Sequence, residues 1–189
     1  MSYWVFTDIF EEPGPRFTPF HGGFGLLNYQ AINKPAFYAY KYMNKLGNTE
    51  LVNADSSSWA CKDEKGNIQV LLWDFTYTLE DSVNNQDYYI RDLPAKSKGT
   101  VNIKISEIPA GTYNLEIYKV GYRVNDPYTT YFDMGRPNQL TKDQVHRIKQ
   151  LNDGSAISSE KIKVRNGALF QKELEIREND VFLMTITKQ

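Results

Sequence analysis

From Asn48 to its end the chain is a succession of short apolar runs separated by turn residues, and this restricts that part to an antiparallel β architecture. The clearest run is Thr100 to Ile108. Val101, Ile103 and Ile105 alternate with Asn102, Lys104 and Ser106, so one face turns to a core and the other to water. Pro109-Ala110-Gly111 makes a turn, and Thr112 to Tyr122 continues as a strand with Tyr113, Leu115 and Ile117 on one face. Ile162 and Val164 alternate with Lys161, Lys163 and Arg165, and Val181 to Thr187 supplies a last strand. Asn67 to Phe75 is different in kind. Ile68, Val70, Leu71, Leu72 and Trp73 are nearly continuous, which marks an interior strand covered on both faces. Roughly seven or eight short strands with turns between them predict an antiparallel sandwich.

One helix is expected inside this β region. Thr141 and Gln144 have the spacing of a capping box, Leu140 and Val145 that of a hydrophobic staple. Val145, Ile148 and Leu151 continue as an apolar stripe, and Asn152-Asp153-Gly154 ends it. Gly121 to Phe132, rich in tyrosine, reads as a long structured loop.

The residues before Asn48 have another character. Tyr3-Trp4-Val5-Phe6 is an apolar run of strand type that gives way at once to Asp8, Glu11, Glu12, Pro13, Gly14 and Pro15. A strand buried on both sides that ends in a polar loop suits a parallel barrel strand at its functional face. Gly22-Gly23-Phe24-Gly25 prolongs the loop. A helix follows over roughly Pro35 to Leu46, with Pro35 in its first turn and Gly47 just past its end. Ala36, Tyr40, Met43 and Gly47, widened by Phe37 and Leu46, form its expected apolar stripe, with Lys34, Lys41 and Lys45 facing water. The fold class is therefore mainly β: a βα unit over 1–47, then a sandwich domain with one short helix over 48–189. A lone βα unit cannot bury its own faces, so this part is expected to pack on something else.

Charge and cysteine usage narrow the function. Lysine and arginine number 22 against 23 acidic residues, a net charge of −1, so no basic surplus attracts nucleic acid or an anionic membrane. No apolar run is long enough to span a bilayer. The N-terminus has no basic region before an apolar stretch, and Asp8, Glu11 and Glu12 interrupt any such stretch, so no secretory leader is read there. Cys61 is the single cysteine, which rules out an intrachain disulfide and suits a reducing, cytoplasmic location. The two histidines and one cysteine lie far apart in sequence and make no zinc motif; no metal or cofactor is expected.

The run Tyr3-Trp4-Val5-Phe6-Thr7-Asp8-Ile9-Phe10-Glu11-Glu12 resembles the last barrel strand of family 39 glycoside hydrolases of the β-xylosidase type. Phe20-His21-Gly22-Gly23-Phe24-Gly25-Leu26-Leu27 and Lys34-Pro35 resemble the loop and final helix of the same family. Lys119 to Tyr128, Met134-Gly135, Leu140-Thr141-Lys142 and Arg177 to Val181 resemble its accessory β domain, in family order and over nearly the whole chain. The resemblance implies the C-terminal portion of a (β/α)8 barrel enzyme: the eighth strand, the last helix and the sandwich. In that family the acid/base glutamate follows an asparagine after the fourth strand, and the nucleophile ends the seventh. Both places fall upstream of Met1, and no Asn-Glu dipeptide occurs in this sequence. The family's sandwich also takes a strand from the protein's own N-terminus.

No catalytic residue is therefore expected here. Glu11 and Glu12 are tempting as a pair, but adjacent residues of an extended chain point in opposite directions and cannot flank one glycosidic bond. The resemblance implies that they hydrogen-bond sugar hydroxyls and that Trp4 stacks on the sugar. Trp4, Glu11 and Glu12 are thus expected as remnants of a glycone-binding wall, the parent's ligand being a xylose-type sugar. His21 and His146 read as structural or surface histidines. Trp59, Trp73, Tyr88, Tyr89, Tyr128 and Tyr131 read as packing rather than as a sugar platform. The rival readings are a stand-alone carbohydrate-binding module and a structural, oligomerisation sandwich. Self-association is expected through the N-terminal segment, whose strand lacks neighbours.

Overall fold

The computed structural model describes residues 3–10, 14, 16, 18–77 and 90–189. These contain eight strands: β1 (Thr49–Leu51), β2 (Ser58–Lys62), β3 (Ile68–Trp73), β4 (Ser97–Ile105), β5 (Gly111–Val120), β6 (Ser158–Val164), β7 (Phe170–Arg177) and β8 (Val181–Lys188). Three helices accompany them among the described residues: α1 (Pro35–Met43), α2 (Pro127–Asp133) and α3 (Lys142–Leu151). Two sheets result, one of six strands in the order β1-β2-β3-β8-β5-β6 and one of two strands, β4-β7. Every registered pair is antiparallel. The chain forms two units, each assembled from separate stretches: Met1–Tyr40, Tyr77–Pro94 and Val120–Gly154 in the first, Lys41–Thr76, Ala95–Lys119 and Ser155–Gln189 in the second.

The second unit is the sandwich. Alternation sends Ile68, Val70 and Leu72 of β3, Tyr113, Leu115 and Ile117 of β5, and Phe182, Met184 and Ile186 of β8 into one cluster with Ile103 of β4 and Ile176 of β7. β3 is buried on its other face as well, through Gln69 and Leu71, as the continuous apolar run predicts. Gln69 is satisfied there by Gly47, whose amide donates to Oε1 at 3.0 Å. Only glycine fits at 47: a Cβ would stand 2.2 Å from the carbonyl carbon of Lys62. Tyr118 lies on the opposite face of β5 from Leu115, and its hydroxyl donates to Glu116 at 2.9 Å. Burial, then the adjacent Glu116, pushes its phenol up to about 12.

A cleft of about 630 Å³ opens in this unit alongside β4. Five consecutive residues, Val101 to Ile105, line it, so the strand presents its backbone edge and not one face. Ala60, Val70 and Leu72 form an apolar floor, and Asn53, Asp55 and Ser58 contribute a polar rim.

In the first unit Ile32, Tyr131, Leu140 and Ile148 make a separate core, with Phe20, Tyr128 and Val145 packed on it. α3 is capped as its sequence predicts: the Thr141 side chain accepts from Gln144 N–H, and the Gln144 side chain accepts from Thr141 N–H at 2.9 Å. The second half of the long loop read over Gly121 to Phe132 is α2, which runs on to Asp133. Asp126 caps it by accepting from Thr129 N–H, and Pro127 occupies its first turn. A tyrosine-rich seven-residue helix has too short an apolar period to be read from sequence. Arg123 ties this region to Asp92 and Asp133 at 2.6 and 2.7 Å, and its guanidinium holds the Asp92 carboxyl below the usual range.

Two expectations about the first 47 residues need correction. Tyr3 to Phe6 is not a strand; among the described residues its end pairs through an isolated parallel bridge between Thr7 and Leu27. Among the described residues its backbone bonds run to the Leu26–Leu27 segment, from Leu26 N–H to Val5 O and Leu27 N–H to Phe6 O, and a ladder needs more than that. The buried positions of α1 are Tyr38 and Tyr42, at 1% and 0% exposure, while Ala36 of the expected stripe is exposed. Their hydroxyls donate to backbone carbonyls, Tyr38 to Asn152 and Tyr42 to Lys119, which lets two tyrosines outside the expected stripe be wholly buried.

Candidate functional site

Of the three expected wall residues the structure describes Trp4; Glu11 and Glu12 lie outside the described residues. Trp4 is 69% exposed, with a cis peptide bond to Val5. Its indole meets the Phe10 ring edge-on, with centroids 5.5 Å apart. Phe6, Ile9, Phe10 and Phe24 are also exposed, so the segment carrying Trp4 and the glycine loop present several large apolar side chains to the surface.

A buried polar element lies beneath it. Asp8 is fully buried, and its Oδ1 accepts from the Lys34 ammonium at 2.6 Å and from Gly25 N–H at 2.7 Å. Lys34 also donates to Gly23 O at 2.7 Å. The loop comes so close that a Cβ on Gly25 would stand 2.4 Å from the Asp8 nitrogen. Both lie in the family-like runs of the sequence, but neither is singled out there for a role. Asp8 reads as one of several loop acids, and Lys34 as a solvating lysine ahead of the helix, yet its side chain is only 15% exposed. The available signal was an acid next to an apolar run, a glycine loop and a lysine before Pro35, and it acquires meaning only when the loop folds back.

His21 lies in the glycine loop with Nδ1 3.1 Å from Thr18 O, and His146 is exposed on α3. Tyr131 belongs to the core of the first unit and Tyr128 packs on it; Tyr88 and Tyr89 lie outside the described residues. Trp59 is 45% exposed and meets Trp73 edge-to-face at 5.7 Å, so the two rings do not form a flat platform. Cys61 is buried, and burial pushes its thiol up, away from the reactive thiolate. Among the described residues no group of three or more His, Cys, Asp or Glu side chains could hold a metal, and no helix is long and apolar enough to cross a membrane.

Antiparallel sheets with few helices match the C-terminal β-sandwich of a class of glycoside hydrolases. The family model for glycosyl hydrolases family 39 matches residues 1–167, and the chain belongs to that family. It is 28% identical to a β-xylosidase of Caldicellulosiruptor saccharolyticus over 190 residues, covering 98% of this chain and 36% of that protein. The crystal structure of a GH39 enzyme from Xanthomonas axonopodis pv. citri superposes with a TM-score of 0.92 at 38% identity, over all of this chain and 37% of that one. A monomeric β-xylosidase from Caulobacter crescentus gives 0.89 at 36% identity, again over all of this chain and 37% of that one. The chain thus spans little more than a third of its relatives and corresponds to their C-terminal portion with its β-sandwich.

Proposed function

We propose that residues 1–189 are the non-catalytic C-terminal part of a retaining, exo-acting β-xylosidase-like enzyme that removes β-1,4-xylosyl units from xylooligosaccharides. The observation that carries this reading is full-length similarity to family 39 enzymes over only 36–37% of their length. Its second support is the sequence itself, which has no Asn-Glu dipeptide to supply the acid/base glutamate. Retention needs an acid/base and a nucleophile about 5–5.5 Å apart. Without the pair, both proton transfer and the covalent intermediate are lost. The purified chain is expected to show no turnover of an aryl β-xyloside. Turnover that survives purification and disappears in Glu11→Gln or Glu12→Gln would overturn the reading.

Within the whole enzyme, Trp4, Glu11 and Glu12 serve as one wall of the glycone site. The cleft along β4 fits the same reading, because it has a strand edge unpaired among the described residues and the apolar lining that a strand from the enzyme's own N-terminal segment needs.

The apolar surface of Tyr3, Trp4, Phe6, Ile9, Phe10 and Phe24 is covered by the remainder of the enzyme in this reading. With residues 1–189 alone it is bare, and self-association through it is expected. Sedimentation velocity should show a concentration-dependent shift to larger species, reduced in the Phe6→Ser/Ile9→Ser variant. A monomer at all concentrations would refute this.

A further inference from the structure

We propose that Asp8 and Lys34 are positioning residues: their buried ion pair latches the Trp4 segment to the glycine loop and to the start of α1, and so sets where the indole stands. Besides this pair the segment is held by the Tyr3 ring, which meets Tyr40 of α1 edge-on at 5.3 Å, and by three backbone hydrogen bonds to the loop at Leu26 and Leu27. Trp4, Phe6, Ile9 and Phe10 are all more than half exposed, and the one ring that Trp4 meets is the exposed Phe10. Among the described residues the segment's backbone bonds go to Leu26 and Leu27 alone, ending with Asp8 N–H to Leu27 O at 3.0 Å. The fixed point is Asp8, at 0% exposure.

One carboxylate oxygen gathers two donors from two places in the sequence, Gly25 and Lys34, while Oδ2 is buried without a partner. A half-satisfied buried carboxylate is retained only with its counter-charge, so the segment's place depends on Lys34. Lys34 is itself anchored. It precedes α1, its backbone N–H donates to Leu26 O at 2.8 Å, and α1 carries the wholly buried Tyr38. The latch therefore connects a surface segment to a residue held by a core.

The consequence for sugar binding rests on the reading of Trp4 as part of a glycone wall; the latch itself is measured without sugar. The chain labelled with 5-fluorotryptophan has three tryptophans, Trp4 in the first unit and Trp59 and Trp73 in the second, and a Trp4→Phe variant assigns the first of their ¹⁹F resonances. Lys34→Met keeps the aliphatic stem and removes the charge. The expected result is that the Trp4 resonance alone moves to its urea-denatured position. Asp8→Asn/Lys34→Met, which removes the stranded charge while keeping an acceptor for Gly25, should bring it back toward the native position. A Trp4 resonance unmoved by Lys34→Met, movement of all three resonances together, or no recovery in the double variant would each overturn the proposal. The wall reading is decided separately, by whether xylobiose perturbs the Trp4 resonance once the rest of the enzyme is supplied.

Discussion

Lys119→Met is expected to destabilise the sandwich unit by about 3–5 kcal/mol, the cost of breaking a buried ion pair from one side. Asp180 is fully buried at the β7–β8 turn, and its Oδ2 receives the Lys119 ammonium at 2.7 Å and Arg177 N–H at 2.8 Å. Oδ1 has no hydrogen-bond partner. Lys119 is also shielded, at 12% side-chain exposure, with its ammonium 4.9 Å from the centre of the Phe182 ring. Removing it leaves a buried carboxylate with one backbone donor. The turn around Asp180 is a junction: Asp74 N–H donates to Asp180 O, and Thr76 N–H to the Asn179 side chain. Strain from the stranded charge therefore reaches both strands it joins and the segment after β3. Urea unfolding followed by circular dichroism measures the loss. Lys119→Met/Asp180→Asn should be less destabilised than the sum of the two single variants, because the charge left behind is gone. Additive losses would show that the pair is not coupled.

Leu115→Ala is expected to cost about 2–5 kcal/mol, the range for large-to-small changes in a core that cannot close around the gap. Leu115 is 1% exposed in the middle of β5, and its neighbours on the same face, Tyr113 and Ile117, are 3% and 1% exposed. β5 is an interior strand of the six-stranded sheet, with β8 on one side and β6 on the other. Hydrogen bonding on both edges keeps the backbone from shifting to fill the void. The position across from Leu115 on β6 is Glu160, so the hole is left to Met184 and the other core side chains to fill, and they are already packed. Unfolding midpoints in urea for Leu115→Ala and the milder Leu115→Met should separate the cavity from a general intolerance of change. Equal losses in the two would argue that volume is not the cause.

The elements legible in the sequence are those whose pattern reports their own surroundings. Alternation of Val101, Ile103 and Ile105, and of Tyr113, Leu115 and Ile117, identifies half-buried strands because a period of two assigns each side chain a face regardless of its partner. The capping box of Thr141 and Gln144 is local in the same way, since all its hydrogen bonds close within four residues. The family motif around Trp4 was readable as a string of residues, and the similarity of the whole chain to family 39 enzymes agrees with it.

Sequence alone does not show which elements meet. Nothing in the composition of β4 and β7 separates them from the six other strands, yet they form a sheet of their own and leave one edge on a cleft. Sheet order is settled by loop closure and by which apolar faces can be buried at the same time, and these are properties of the assembled chain. The same holds for α1, where Tyr38 and Tyr42 are buried because the carbonyls of Asn152 and Lys119 come within reach of their hydroxyls. It holds also for Asp8 and Lys34, 26 residues apart: a loop acid and a surface lysine by sequence, they become a buried pair because Gly25 lets the loop backbone approach where any side chain would prevent it.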